Sequence, residues 1–213
     1  QKGQGKSSLL KDILVEIKKD SPKLVAIYGH SSTLTLLNND SLIHLAEESM
    51  KWDTSHPLYD GIDQFVVDYN SITNWDKWIK FCEEGRSVYI TVSSLSVQNC
   101  VEQIISQIGF QSSLAKRFYQ VLNGVCYQKI LGLKEGAVHE FFIVQDNFKN
   151  DLATMSFAEF RKNQDAESFK KYFQSLNQSI IQALVRRRID VKTAFQASDD
   201  PDDLDLQLKR MGL

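Results

Sequence analysis

Gly3-Gln4-Gly5-Lys6-Ser7-Ser8, running straight into Leu9-Leu10-Lys11-Asp12-Ile13-Leu14, is the stretch on which the reading of this chain turns. Gly5, Lys6 and Ser7 match the end of the phosphate-binding pattern Gly, four residues, Gly-Lys-Ser/Thr, whose first glycine would fall one residue before Gln1. Each position has a physical task. Glycines let backbone N–H groups close around phosphate oxygens, Lys6 reaches the terminal phosphates, and the Ser7 hydroxyl ligates Mg²⁺. A helix starting there turns its positive end toward the anion. Half a motif also reads as a flexible Gly/Ser leader, and the residues after Ser8 separate the two. Leu9, Leu10, Ile13, Leu14 and Ile17 recur at helical spacing, with Lys11, Asp12, Glu16 and Lys18 on the other face. Ser21-Pro22 then stops the helix, and Lys23–Tyr28 reads as a buried strand. Loop, helix and strand come in the order that a phosphate-binding domain needs, so Gly3, Gln4, Gly5, Lys6, Ser7 and Ser8 are the candidate nucleotide contacts. The strand expected before the loop is missing, so Gln1 is not expected to be the natural start.

The 213 residues are enough for one good-sized core or a core with an appendage, and the composition is that of an ordinary globular chain, 42% hydrophobic and 24% charged. A net charge of −2 gives no drive toward nucleic acid or an anionic surface, and no apolar run is long enough to span a membrane. Cys82, Cys100 and Cys126 are odd in number and lack Cys-x-x-Cys spacing, which reads as reduced core residues in a cytosolic protein. The histidines show no zinc pattern.

Further along, Leu42, Ile43, Leu45, Ala46 and Met50 suggest a helix, and Gln64–Tyr69 a second strand. Trp75–Cys82 reads as an amphipathic helix capped by Gly85, and Ser87–Val92 as a third strand rich in β-branched residues. Val97 to Ile108 and Leu114 to Leu122 come next as helices. Val125–Leu131 and His139–Val144, joined through Gly132 and Gly136, predict a hairpin. The rest is helical: Ser156–Arg161, a long helix over Ala166–Arg187, Val191–Ala197, and Leu204–Met211 after the acidic turn Asp199–Asp203. Strands alternating with helices predict an α/β fold with a mostly parallel sheet, a late antiparallel hairpin and a C-terminal helical subdomain, divided as 1–145 and 146–213.

In this order the segments resemble the secretion and type IV pilus motor ATPases, the family of pilus assembly and retraction motors and type II secretion ATPases. Gly3 to Leu10 stands as the phosphate loop, Ile62 to Tyr69 in the place of the Walker B strand, and Ser87 to Ser94 in that of the strand leading to the histidine box. Leu122-Asn-Gly-Val-Cys-Tyr-Gln-Lys129 looks like the helix-to-strand segment ending Gln-Arg/Lys-Leu, and His139-Glu140-Phe141 like the Glu-Ile/Phe strand. Ala183 to Leu213 is similar to the family's C-terminal helices. The resemblance implies a RecA-like P-loop core, ATP and Mg²⁺ as ligands, and Ser7 and Asp68 at the metal. It also implies hexameric assembly with like or unlike ATPase subunits on an inner-membrane platform protein. The expected location is cytoplasmic and peripheral to that membrane, with no nucleic acid partner and no membrane insertion.

The departures from the family are chemical. Ala26-Ile-Tyr-Gly-His30 stands where the acidic box belongs and has no carboxylate; the Walker B strand ends Asp68-Tyr69 instead of Gly-Glu; Ser93 replaces the histidine; and no arginine precedes Arg86. Phosphoryl transfer to water needs a group that orients the nucleophile and cations that neutralise the developing charge. The expectation is a degenerate member that binds nucleotide and hydrolyses it weakly or not at all. The alternative is an active motor whose missing carboxylate comes from Asp68, Glu83 or Glu84. Asp68 reads equally as a Mg²⁺ contact or as a cap on the loop after its strand. Tyr28, Tyr69, Ser93, Ser94 and His30 read as packing or loop residues, Trp75 and Trp78 as helix-on-sheet packing, and Arg186-Arg-Arg188 as last-turn cations that favour the helix dipole.

Overall fold

A computed structural model describes residues 9, 10, 12, 13, 15, 16, 25–28, 42–44, 54–132, 136–164 and 169–212. The first six of these positions are helical, with Leu10 buried, as the spacing of leucines after Ser8 predicts. Contacts divide the chain into two units, one comprising 6–93 with 105–121, the other 1–5, 94–104 and 122–213.

The first unit holds a four-stranded parallel sheet in the order β2-β1-β3-β4, made of β1 (Val25–Tyr28), β2 (Leu42–His44), β3 (Gln64–Asp68) and β4 (Ser87–Thr91). In β3, Gln64, Phe65, Val66 and Val67 are all buried, the uninterrupted pattern of a parallel strand covered on both faces. Helix α1 (Trp75–Glu83) starts at Asn74, whose side chain accepts from the Lys77 N–H, and ends at Gly85 with φ 88. Its Trp78 and Phe81 meet Phe65 at ring distances of 5.7 and 4.4 Å, and Tyr59 meets Phe81 at 5.1 Å. Trp75 donates to Gln107 at 2.8 Å and packs on Phe118 of α3 (Ser113–Val121). Both tryptophans therefore serve packing. Helix α2 (Val97–Ile108) runs from the second unit's residues into the first's.

The second unit is built on the hairpin β5 (Gly124–Gly132) and β6 (Gly136–Ile143), with the two-residue β7 (Phe173–Gln174) added antiparallel to β6. Around it lie α4 (Asp146–Thr154), α5 (Phe157–Asn163), α6 (Leu176–Val185), α7 (Val191–Ala197) and α8 (Pro201–Met211). Because β6 pairs with β7 and its His139 N–H donates to Ser179 of α6, contacts group the hairpin with the helices after it, whereas the sequence pattern alone places the division after residue 145. Phe142 sits among Phe148, Phe157, Phe160, Phe169 and Phe173, rings 5.4–6.4 Å away.

Two elements differ from expectation. Leu42–His44 is a strand, not the start of a helix, because it is paired in register with Val25–Ile27. The long helix over 166–187 is instead β7 and the shorter α6, broken by a capping box. The Ser175 hydroxyl accepts from the Gln178 N–H, and the Gln178 side chain returns to the Ser175 N–H. Helix α6 ends at Val185 with Arg186 as its C-cap, so the three arginines lie beyond its last turn. Cys82 and Cys100 are half-buried and Cys126 is exposed, so none belongs to the fully buried core. Burial pushes the Cys82 thiol up to about 11 and the Cys100 thiol up to about 12, which leaves both unreactive.

Glu140, buried in β6, accepts the Val97 N–H at the start of α2 at 2.8 Å. Burial raises its pKa above the usual 4.5, and the Val97 bond and the Arg161 charge only partly oppose this. A carboxyl with a raised folded-state pKa binds its proton more tightly when folded, so stability falls as pH rises above 4.5. Glu140→Gln keeps an acceptor and removes the charge. Its melting temperature at pH 7 is expected to equal or exceed the parent's, the difference shrinking toward zero near pH 4.5 in a calorimetric pH series.

Candidate functional site

In open parallel sheets ligands bind beyond the carboxyl ends of the strands. Here that edge is set by the register: Ile27 lies beside His44 and Val66, Tyr28 beside Val67, and Asp68 beside Thr91. The strand ends that the sequence singles out are thus neighbours. Tyr28 closes β1, Asp68-Tyr69 closes β3, and Thr91, two residues before Ser93, closes β4. Thr91 and His44 carry no sequence signal for this edge, because strand order and register arise from tertiary pairing. Gly3, Gln4, Gly5, Lys6, Ser7, Ser8, His30 and Trp52 lie outside the described residues.

Asp68 is held in place. One carboxylate oxygen accepts from the Asn70 N–H at 2.9 Å and from the Asn70 side-chain amide at 3.1 Å, capping the 3₁₀ turn Tyr69–Ser71. The donor set around it suits a particular kind of cation. Among the described residues no three His, Cys, Asp or Glu side chains gather to hold a bare ion. One strand-end carboxylate with a threonine alongside fits a Mg²⁺ that arrives with its own phosphate and water ligands.

Glu83 and Glu84 lie elsewhere. Helix α1 leaves the carboxyl edge after β3 and returns to the amino edge before β4, so both precede Ser87. A five-residue strand separates the two edges by roughly 13 Å. Glu83 is also engaged by Arg117, whose Nε and Nη2 donate to its two oxygens at 2.8 and 2.7 Å, while Asp76 takes Nη1. The Arg117 hydrogen bond holds the Glu83 carboxyl below its ordinary value. Glu84 pairs loosely with Arg86 at 3.9 Å. Ser94 donates to the Ser96 carbonyl and to Asn99 and so organises the turn before α2.

The fold is α/β, a RecA-like parallel core with a helical part, and it is shared with a solved pilus motor and a solved ATPase. The pilus retraction motor PilT, in a crystal structure with bound ADP, matches with a TM-score of 0.70 at 15% identity, over 96% of this chain and 61% of PilT. The ATPase DotB of Yersinia pseudotuberculosis matches with a TM-score of 0.58 at 12% identity, over 82% of this chain and 56% of DotB. At such identities the likeness is one of fold, and the chain spans about three fifths of PilT's length. No protein-family model and no curated protein matches the sequence. Among the described residues no helix is long and apolar enough to cross a membrane.

Proposed function

We propose that this chain is a nucleotide-binding, motor-like subunit of a type IV pilus or type II secretion system, with weak or absent hydrolysis, acting through assembly with other ATPase subunits or their regulation. The observation that carries the reading is the fold shared with an ADP-bound retraction motor over 96% of the chain, with a phosphate-loop sequence at its front. In this reading Gly3, Gln4, Gly5, Lys6, Ser7 and Ser8 wrap the ATP phosphates, Lys6 neutralises them, and Ser7 with Asp68 holds the Mg²⁺ shell at the carboxyl edge of the sheet. The partners are subunits of a homo- or hetero-hexamer and an inner-membrane platform protein. Two features support weak hydrolysis. The strand ends next to that edge carry Tyr28, Tyr69 and Ser93, and the glutamates offered as substitutes for a base lie at the opposite edge.

A fluorescent ATP analogue with Mg²⁺ tests this. It is expected to bind, and Lys6→Ala to weaken binding by about a hundredfold, the loss of one or two charge-assisted hydrogen bonds to phosphate. Affinity unchanged by Lys6→Ala, or no binding at all, would mean a scaffold that does not use nucleotide.

A further inference from the structure

Asp68 closes β3 at the carboxyl edge of the sheet, beside Thr91 in register. The turn that follows is anchored. Tyr69 meets Trp75 of α1 with ring centroids 6.1 Å apart, and the buried Ile72 donates its N–H to the Tyr69 carbonyl at 3.2 Å. On this fixed turn Asn70 makes two bonds to one atom. Its N–H donates to Asp68 Oδ1 at 2.9 Å, and its side-chain amide donates to the same oxygen at 3.1 Å. Capping the turn takes only the backbone donor. The amide bond is an addition, made by an exposed side chain that water would serve equally well. It acts on the carboxylate, fixing the direction in which Asp68 points.

The two N–H dipoles turn their positive ends toward Oδ1, which opposes a cation at that atom. Asp68 therefore offers a metal shell one oxygen at most. Such a carboxylate suits Mg²⁺, which keeps most of its waters, and handicaps Ca²⁺, which gathers more oxygens and readily takes both of a carboxylate. We propose that Asn70 is a positioning residue for the metal that accompanies the nucleotide, and that through Asp68 it sets a preference for Mg²⁺ over Ca²⁺. The inference rests on the nucleotide site proposed above and names a residue that governs its metal. Groups that orient a metal-bound carboxylate typically govern about ten- to a hundredfold in affinity. Asn70 is exposed and its backbone donor survives any non-proline substitution, so the lower end applies here.

The experiment titrates the full chain with the fluorescent ATP analogue in EDTA, in Mg²⁺ and in Ca²⁺. The readout is the gain in affinity that each metal brings over EDTA, compared between variants so that the metal's own affinity for the nucleotide cancels. The parent is expected to bind in EDTA, to gain from Mg²⁺ and to gain less from Ca²⁺. Asn70→Ala is expected to cut the Mg²⁺ gain about tenfold and to narrow its lead over Ca²⁺, with affinity in EDTA unchanged. Asn70→Ser, whose hydroxyl also donates, is expected to recover part of the gain. A parent without a Mg²⁺ gain, a gain that Asn70→Ala leaves unchanged, or a lead over Ca²⁺ that does not narrow would overturn the proposal. So would an equal fall in EDTA and in Mg²⁺, the mark of a purely structural cap. The nucleotide reading fails by a different sign: an affinity in EDTA that Lys6→Ala does not alter would remove the site, and this proposal with it, whatever Asn70 does.

Discussion

Phosphate release from MgATP is expected to run at least about a thousandfold below that of a motor with a complete site, while the nucleotide remains bound. An arginine finger alone supplies roughly 10³ to 10⁵ in rate, and a positioned acid or base typically about 10² to 10⁴. The chain has no arginine before Arg86, and no carboxylate stands in Ala26–His30. What the carboxyl edge retains is suited to holding charge in the ground state. Asp68 is fixed by Asn70 beside Thr91, a placement that in the proposed reading would serve a hydrated Mg²⁺. Cleavage instead needs a group on the attacking water. Glu83, bound by Arg117 at the amino edge, is not available for that task. The measurement is steady-state phosphate release from saturating MgATP, with binding followed in parallel. A brisk release that Asp68→Ala abolishes would show an active motor using Asp68 and would refute the degenerate reading.

The elements that the sequence made legible are those whose signals are local. The apolar run of β3, the cap glycines Gly85 and Gly109 with φ of 88 each, and the paired runs of the hairpin all carry their own evidence within ten residues. Leu42–His44 does not. Three residues are too few to show a period of two, and the segment is a strand only because β1 lies alongside. β7 is shorter still, and its pairing with Phe141 and Phe142 turned a run of helix-forming residues into a strand followed by a helix. There a signal did exist: Ser175 and Gln178 have the spacing of a capping box, and they mark where α6 begins. The same distinction governs the site. Strand ends pointed to Tyr28, Asp68 and Ser93, but only the order β2-β1-β3-β4 makes them neighbours and places Thr91 against Asp68.

Phe142→Ala is expected to lower stability by about 3–5 kcal/mol, the usual cost of emptying a fully buried phenylalanine site. Phe142 is 1% exposed and touches five other phenylalanine rings contributed by α4, α5, β7 and the segment before it, so no single neighbour can collapse into the space. Domains have only about 5–15 kcal/mol in total, so the change removes a large share of the second unit's stability. At roughly 2–4 °C per kcal/mol for a chain of this size, the far-UV circular dichroism transition is expected to fall by about 6–20 °C. Ile143, next along β6 and 45% exposed, is the control: Ile143→Ala is expected to move the transition by no more than about 2–3 °C. Trp75 and Trp78 are packed in the first unit, so their fluorescence reports on that unit. Equal shifts for Phe142→Ala and Ile143→Ala would refute the phenylalanine cluster as the core that binds the hairpin to its helices.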